Sequence, residues 1–178
     1  MATTPPPPPP RPTPERVWLR LIRLMTRARV TMTERLGAIA LSVPQLDVLS
    51  TLTEAEGVSQ QELATRLYVT KGNISGLLDR LADAGLVERR AIPADKRSHA
   101  IHLTGEGRRL AELGMAIQAH FIAETFGRLS GDELTRFDGL VGATRDLMRA
   151  DAARHQAGEA AARKRSKSAG KAAMSSST

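Results

Sequence analysis

Residues 59–81 read SQQELATRLYVTKGNISGLLDRL, a pattern that predicts two short helices separated by a tight turn. Ser59 and Glu62 form a capping box, in which each side chain accepts a hydrogen bond from the other residue's backbone amide. Thr70 is placed to cap the second helix, and Gly85 to end it. The second helix carries apolar residues at helical spacing: Ile74, Leu77, Leu78 and Leu81.

A charged β-hairpin is predicted directly after these two helices. Strand-like runs occupy residues 86–90 and 98–103, and the polar segment 92–97 between them favours a turn. Two short helices followed by a hairpin are typical of a winged helix-turn-helix, in which the second helix enters the DNA major groove. The sequence therefore predicts a winged helix-turn-helix lobe over residues 43–104.

Long helices are predicted on both sides of this lobe. Residues 15–41 and 105–156 carry apolar residues at helical spacing over several turns, and a lone winged lobe could not cover them all. The predicted fold class is therefore mainly α with a small β-hairpin wing, a single domain over residues 15–156. Only 3% of the residues are aromatic, which is typical of interlocking helices and unlike an aromatic-rich sandwich.

The two ends of the chain differ from this body in composition. Eight of the ten prolines fall in residues 1–14, which predicts a disordered Pro-rich arm with polyproline II character. Such an arm is either a solvated leader or a ligand for an aromatic groove. Residues 157–178 are rich in Ala, Gly, Ser, Lys and Arg, and this composition predicts a disordered basic tail.

The composition also excludes several classes of protein. Because the chain has no cysteine, it holds no disulfide, thiolate metal site or redox-sensing thiol. His99 and His102 point to opposite faces of a predicted strand, so no metal site is expected. No motif predicts an enzyme or a cofactor site. Without a secretory leader or a membrane-length apolar run, we expect a protein of the cytoplasm, associated with the nucleoid and not with a membrane.

The positive charge is concentrated in two places. Lys and Arg number 26 against 19 Asp and Glu, a net charge of +7, and residues 160–178 supply five bases without an acid. Residues 69–110 hold eight bases and five acids. Residues 15–159 as a whole are nearly neutral, so their excess of positive charge lies in this segment. Bulk charge therefore cannot attract a polyanion to the body, and a local cluster of bases must do so.

The outward face of the second helix is small and polar, as entry into the major groove requires. Lys71 and Asn73 can reach base edges, while Thr70 and Ser75 can reach phosphates or bases. Glycines at positions 72 and 76 let the backbone approach DNA closely. The alternative is that this face is simply solvated.

The hairpin offers a second contact with DNA. Asp95 and Arg97 point the same way on an extended segment, so the carboxylate can orient the guanidinium toward the minor groove. The predicted DNA contacts of helix and wing together are Thr70, Lys71, Asn73, Ser75, Gly76, Arg80, Arg90, Asp95, Lys96 and Arg97.

Residues 43–107 resemble the MarR (multiple antibiotic resistance regulator) family of winged-helix transcription factors. The resemblance is carried by segments 69–75 (VTKGNIS), 84–90 (AGLVERR), 95–98 (DKRS) and 103–107 (LTGEG). It implies a homodimer in which the helices of residues 15–41 and 105–156 serve as dimerisation helices. It also implies a palindromic operator on double-stranded DNA, read by two recognition helices roughly 34–36 Å apart.

The family resemblance also implies an effector. Many members release DNA when a small phenolic or other aromatic ligand enters a cleft beside the DNA-binding lobe. Trp18, Asp47 and Arg89 are similar to part of the ligand set of urate-responsive members, whereas Leu77 stands where that branch has a further arginine. As alternatives, Trp18 belongs to the dimer core and Asp47 is an exposed helix residue.

The resulting prediction is a homodimeric, ligand-responsive transcriptional regulator, a repressor released from its operator by a small aromatic or phenolic compound. The rival prediction is an effector-independent architectural or accessory DNA-binding protein that coats DNA with help from its basic tail. A third possibility is a winged-helix module for protein interaction, which would show no salt-dependent binding to DNA.

Overall fold

The computed structural model describes residues 11–92 and 95–175, with side chains outside the description at residues 92, 95–98 and 160–175. In chain order the elements are α1 (Pro14–Gly37), α2 (Val43–Glu54), β1 (Val58–Ser59), α3 (Gln60–Arg66), α4 (Lys71–Asp83), β2 (Val87–Ile92), β3 (Asp95–Leu103), α5 (Gly105–Glu124), a 3-10 turn (Phe126–Arg128) and α6 (Gly131–Ser175). The prediction for the Pro-rich arm falls mostly on residues 1–10, which lie outside the described residues. Its last proline, Pro14, begins α1.

The predicted fold class is confirmed: helices dominate, and the strands form one small antiparallel sheet in the order β1-β3-β2. The hairpin β2–β3 is longer than predicted, since residues 95–97, expected in the turn, belong to β3. Its ladder pairs Val87 with Leu103 and Arg89 with Ile101 and shifts register next to Ile92. Strand β1 was not predicted, because two residues are too few to show an alternating pattern.

The core lies between the helices of the lobe and the sheet. Its fully buried side chains come from α1, α2, α3, α4 and β3: Leu36, Leu46, Val48, Leu49, Leu52, Leu63, Ile74, Leu78, Leu81 and Ile101. No polar or charged residue is buried among those the structure describes. This apolar core fixes α3, α4 and the hairpin relative to one another.

Helix α1 joins the core only near its C-terminal end, through Met32 and Leu36. The first two thirds of α1 expose large apolar residues, including Trp18, Ile22 and Met25. The chain divides into two compact units at residue 124, and the second unit also exposes apolar side chains along α6, such as Leu140 and Leu147. Within residues 11–92 and 95–175, no helix is both long and apolar enough to cross a membrane.

Helix α6 continues to Ser175, which differs from the disordered tail predicted for residues 157–178. Ala, Arg and Lys are strong helix formers, so this composition is compatible with a long helix. At its start, Ser130 and Glu133 form a capping box, with Ser130 N donating to Glu133 Oε2 at 2.9 Å.

Candidate nucleic-acid interface

The two short helices begin with the predicted caps. Ser59 N donates to Glu62 Oε2 at 2.7 Å, and Glu62 N donates to Ser59 Oγ at 3.2 Å. Hydrogen bonds from the Ser59 amide and hydroxyl to the Glu62 carboxyl hold the pKa of that carboxyl below its usual value. Helix α4 starts with Asn73 N donating to Thr70 Oγ1 at 3.3 Å. The caps fix where each helix begins and thereby which side chains stand at the N-terminal end of α4.

The turn between α3 and α4 is closed by a residue in the left-handed region. Tyr68 has a φ of +54°, and Val69 N donates to Ala64 O at 3.0 Å to complete the turn. Glycine or asparagine usually occupies such a position. The Tyr68 side chain is 86% exposed, so no packing contact accounts for an aromatic residue there. Nothing in the sequence singled out this residue.

One face of α4 is buried and the other is open. Ile74, Leu78 and Leu81 pack into the core, whereas Thr70, Lys71, Gly72, Asn73 and Arg80 are exposed and Ser75 and Gly76 half-buried. A Cβ added at Gly72 would meet no atom within 4 Å, and one at Gly76 would approach only Arg80 Nη1, at 3.7 Å. The described part of the chain therefore leaves this face free for a ligand.

Leu77, which replaces an arginine of the urate-responsive branch, belongs to the core. It is only 8% exposed and packs with the other apolar residues of α4. A side chain at this position serves the packing of the recognition helix in this protein. A buried apolar position of this kind does not suit an arginine without a partner.

A neighbouring side chain orients Ser75 on the recognition helix. Gln60 Nε2 on α3 donates to Ser75 Oγ, so the hydroxyl keeps its own hydrogen for another acceptor. Gln60 lies inside the capping-box segment, and no pattern in the sequence pairs it with a residue fifteen positions away. The contact follows only from the packing of α3 against α4.

The wing is tied to α4 by an ion pair. Arg89 Nη2 on β2 lies 2.5 Å from Asp79 Oδ1 on α4, so this ligand candidate has a partner within the lobe. Arg90 Nε donates to Glu88 Oε1 at 2.9 Å in an exposed pair, which leaves its guanidinium near solvent. Asp95, Lys96 and Arg97 lie on β3, where the structure describes the backbone alone.

The root of the wing is joined to the start of α5 by backbone and hydroxyl groups. Thr104 Oγ1 donates to Gly85 O at 2.7 Å and accepts from Gly107 N at 2.9 Å. Thr104 N donates to Leu86 O at 3.1 Å. Gly85, with a φ of +68°, ends α4 as predicted. The end of the recognition helix, the wing and α5 are therefore held at one point.

Glu56 interacts with two basic side chains, those of Arg108 and His102. Arg108 Nη2 lies 2.6 Å from Glu56 Oε1, and His102 Nδ1 lies 3.6 Å from Glu56 Oε2. Burial raises the pKa of the Glu56 carboxyl, but the hydrogen bond and charge of Arg108 outweigh it and lower the pKa below its usual value. Among the described residues no three side chains of metal-binding type come together.

Within the described residues, no hydrogen bond or ion pair links any two of the three ligand candidates. Asp47 on α2 lies near Arg29. Burial raises the pKa of the Asp47 carboxyl above its usual value, and the charge of Arg29 offsets only part of this increase. Trp18 is 51% exposed on α1, eleven residues before Arg29, which corresponds to about 16 Å along the helix axis. Arg89 is bonded to Asp79.

A capped helix pair, an open polar recognition face and a hairpin beside it define a winged helix-turn-helix DNA-binding protein. The model of the MarR family matches residues 41–99. Transcriptional regulator HosA of Escherichia coli O111:H- is 35% identical over 101 residues, which cover 57% of this chain and 75% of HosA. The chain belongs to the MarR family and is a DNA-binding transcriptional regulator.

Two solved structures are similar to the chain. A mutant MarR from E. coli complexed with operator DNA has a TM-score of 0.65 at 28% identity, covering 70% of this chain and 91% of that one. CouR from Rhodococcus jostii RHA1, bound to p-coumaroyl-CoA, has a TM-score of 0.61 at 29% identity, covering 75% and 89%.

Proposed function

We propose that the protein is a homodimeric repressor that binds a palindromic operator and leaves it when a small aromatic or phenolic ligand binds. The observation that carries this proposal is the open face of α4, from Thr70 to Arg80. It presents small polar side chains and two glycines with free space above them. Such a face suits the major groove, where base edges offer donors and acceptors. As a regulator of genes it acts in the cytoplasm, on the nucleoid.

The exposed apolar side chains support a homodimer. Residues 14–31 of α1 contribute Val17, Trp18, Leu19, Ile22, Leu24 and Met25, each more than 40% exposed. Leu140, Val141, Leu147 and Met148 of α6 are likewise exposed by half or more. A monomer rarely exposes so much contiguous apolar surface, and a second copy would cover it. The proposal therefore uses α1 and α6, with α5 as the sequence predicted, for dimerisation and residues 43–104 for DNA.

The proposed DNA contacts remain those that the sequence predicted. The helix contributes Thr70, Lys71, Asn73, Ser75, Gly76 and Arg80, and the wing contributes Arg90, Asp95, Lys96 and Arg97. Lys71 and Arg80 are exposed, and no ion pair is found for either in the described part of the chain. Both cations are therefore available to phosphates or bases.

The proposed effector site combines Trp18, Asp47 and Arg89. We place Trp18 of a second copy beside Asp47 and Arg89, because Trp18 lies about 16 Å along α1 from Arg29, which is near Asp47. The p-coumaroyl-CoA bound to CouR supports a phenolic ligand, because the p-coumaroyl group ends in a phenol. A ligand that bound Arg89 would compete with Asp79 for the ion pair that joins the wing to α4. Release from DNA would follow from that competition.

The rival proposal is an architectural protein that binds any duplex. The basic residues at the end of α6 favour it, because they add sequence-independent attraction to DNA. The two proposals differ in the ratio of specific to non-specific affinity. They share the same lobe and the same dimer.

Fluorescence anisotropy tests the function directly. The protein is titrated at about 150 mM salt into labelled DNA from upstream of its own gene, with a scrambled duplex as control. A regulator is expected to bind the upstream DNA at least about 10³-fold more tightly. Equal binding would favour the architectural protein, and binding that does not depend on salt would contradict both. Release by hydroxycinnamic or hydroxybenzoic acids, added to the bound complex, then tests the effector.

Tyr68 is a further DNA contact that we propose from the structure. Its strained backbone lies two residues before the Thr70 cap, and its phenol is free to donate to a phosphate. Tyr68→Gly is expected to raise the free energy of unfolding by about 1 kcal/mol, since glycine adopts positive φ without strain. The same variant is expected to weaken DNA binding about threefold to tenfold, the loss of one phosphate contact.

Urea denaturation and DNA titration of Tyr68→Gly separate the two effects, and Tyr68→Phe removes only the hydroxyl. A stabilised variant with weakened binding supports the contact. Unchanged DNA affinity in both variants would show that the tyrosine does not touch DNA.

A further inference from the structure

Four arginines form a stripe along the exposed part of α1. Arg16, Arg20, Arg23 and Arg27 follow one another at intervals of four, three and four residues. At 100° per residue, these intervals place all four side chains within an arc of about 60° on one side of the helix. We call this set the arginine stripe. Its length along the axis is about 16 Å.

The arginine stripe has no acidic partner in the described part of the chain. All four residues are exposed, and neither a hydrogen bond nor an ion pair involves their guanidinium groups. Other arginines of the same unit are engaged: Arg89 with Asp79, Arg108 with Glu56, and Arg109 with Glu106. The stripe is therefore a concentration of uncompensated positive charge in an otherwise nearly neutral body.

The stripe stands apart from the point where α1 enters the lobe. Met32 is the first buried residue of α1, and the stripe lies from about 7 to 24 Å before it along the axis. Trp18, Ile22 and Met25 occupy the opposite side of the helix by the same 100° spacing. A second copy that covers those apolar residues would leave the stripe accessible.

The chemistry of the stripe fits the phosphate backbone of a nucleic-acid duplex. Arginine binds phosphate through two parallel N–H donors and keeps its charge at all physiological pH values. One strand of a duplex presents a phosphate every 3.4 Å of axis, so about five phosphates span the length of the stripe. No small polar side chain or glycine lies among the four arginines at their spacing, and phosphate oxygens carry no sequence information, so contacts of the stripe with the backbone do not depend on sequence.

DNA is the polyanion that this protein meets at high local concentration, because α4 and the wing hold it there. We propose that the arginine stripe binds the backbone of a second DNA duplex while α4 holds the operator, so that one dimer joins two DNA segments. This inference rests on the proposed function, since it assumes that α4 and the wing are already occupied by operator DNA. The second site is independent of sequence and sensitive to salt.

A two-step capture experiment tests this inference with the full-length protein. Upstream DNA of the protein's own gene is immobilised and saturated with protein, and a labelled scrambled duplex is then added. The test variant is Arg20→Gln/Arg23→Gln/Arg27→Gln, since glutamine preserves the helix and removes the charge. The matched control is Arg136→Gln/Arg145→Gln/Arg149→Gln, three exposed arginines of α6.

The test variant is expected to keep its affinity for the immobilised DNA and to lose at least tenfold in capture of the scrambled duplex. The slope of log K against log salt for that capture should fall by about 2.7, the value for three phosphate contacts. The control variant should behave as the wild type. Equal capture by the test variant and the wild type, or an equal loss in the control, would overturn the proposal.

Failure of the proposed function would be visible separately. In that case the immobilised upstream DNA would not retain the wild-type protein in the first step. The scrambled duplex, titrated in solution against the same variants, would still show whether the stripe contributes to the salt slope. If the slope of log K against log salt for the scrambled duplex is unchanged in the test variant, the second DNA site is also overturned. If the stripe captures an acidic polypeptide instead of DNA, the proposal is overturned in favour of a protein partner.

Discussion

Asn73→Ala is expected to raise the Kd for the operator by about 5- to 150-fold, which corresponds to 1–3 kcal/mol. Asn73 lies on the first turn of α4, where its backbone N–H donates to the Thr70 cap. Its side chain is exposed and can therefore face a base. A carboxamide pairs with adenine through two hydrogen bonds in the major groove. Alanine removes both bonds and leaves the helix in place.

The Kd for a scrambled duplex is expected to change by less than about twofold, because phosphate contacts supply non-specific binding. Anisotropy titrations on the two duplexes at one salt concentration measure both values. Gln61→Ala is the matched control, since it removes an exposed carboxamide from α3. A similar loss on both duplexes would contradict direct reading by Asn73 and favour the architectural protein.

Local signals in the sequence sufficed to predict the reading helix. Three of these signals are local, because each depends on residues within one helical turn: the cap at Ser59, the cap at Thr70 and the helix end at Gly85. The structure confirms all three. The side of α4 that is buried follows from apolar spacing alone. This is why the exposed set at the N-terminal end of α4 could be predicted before any tertiary contact was known.

Contacts between elements could not be predicted in the same way. The ion pair of Arg89 with Asp79 joins residues that belong to different elements, and neither residue's neighbours indicate it. Strand β1 exists because Val58 pairs with Ile101 of β3, a partner more than forty positions away. Tyr68 occupies a conformation for which its side chain gives no signal. The proposed effector site has the same difficulty, since the residues proposed for it belong to α1, α2 and β2.

The junction of α5 with the wing gives the prediction with the largest effect on stability. A Cβ at Gly107 would lie 1.9 Å from Leu86 O and 2.8 Å from Leu86 C, which are backbone atoms of the segment that leads into β2. The segment cannot yield without breaking the hydrogen bond from Thr104 N to Leu86 O. Gly107→Ala is therefore expected to lower the free energy of unfolding by about 3 kcal/mol, the upper end of the range for overpacking.

Gly105→Ala provides the control for this prediction. It lies on the same first turn of α5, yet a Cβ there would meet no atom within 4 Å. Because alanine is a better helix former than glycine, this variant is expected to be as stable as the wild type or about 0.5–1 kcal/mol more stable. Urea denaturation at a fixed protein concentration measures both variants, since dimer stability depends on concentration. Equal stability of the two variants would contradict the close approach at Gly107, whereas a loss confined to Gly107→Ala would show that this contact holds the wing and α5 together.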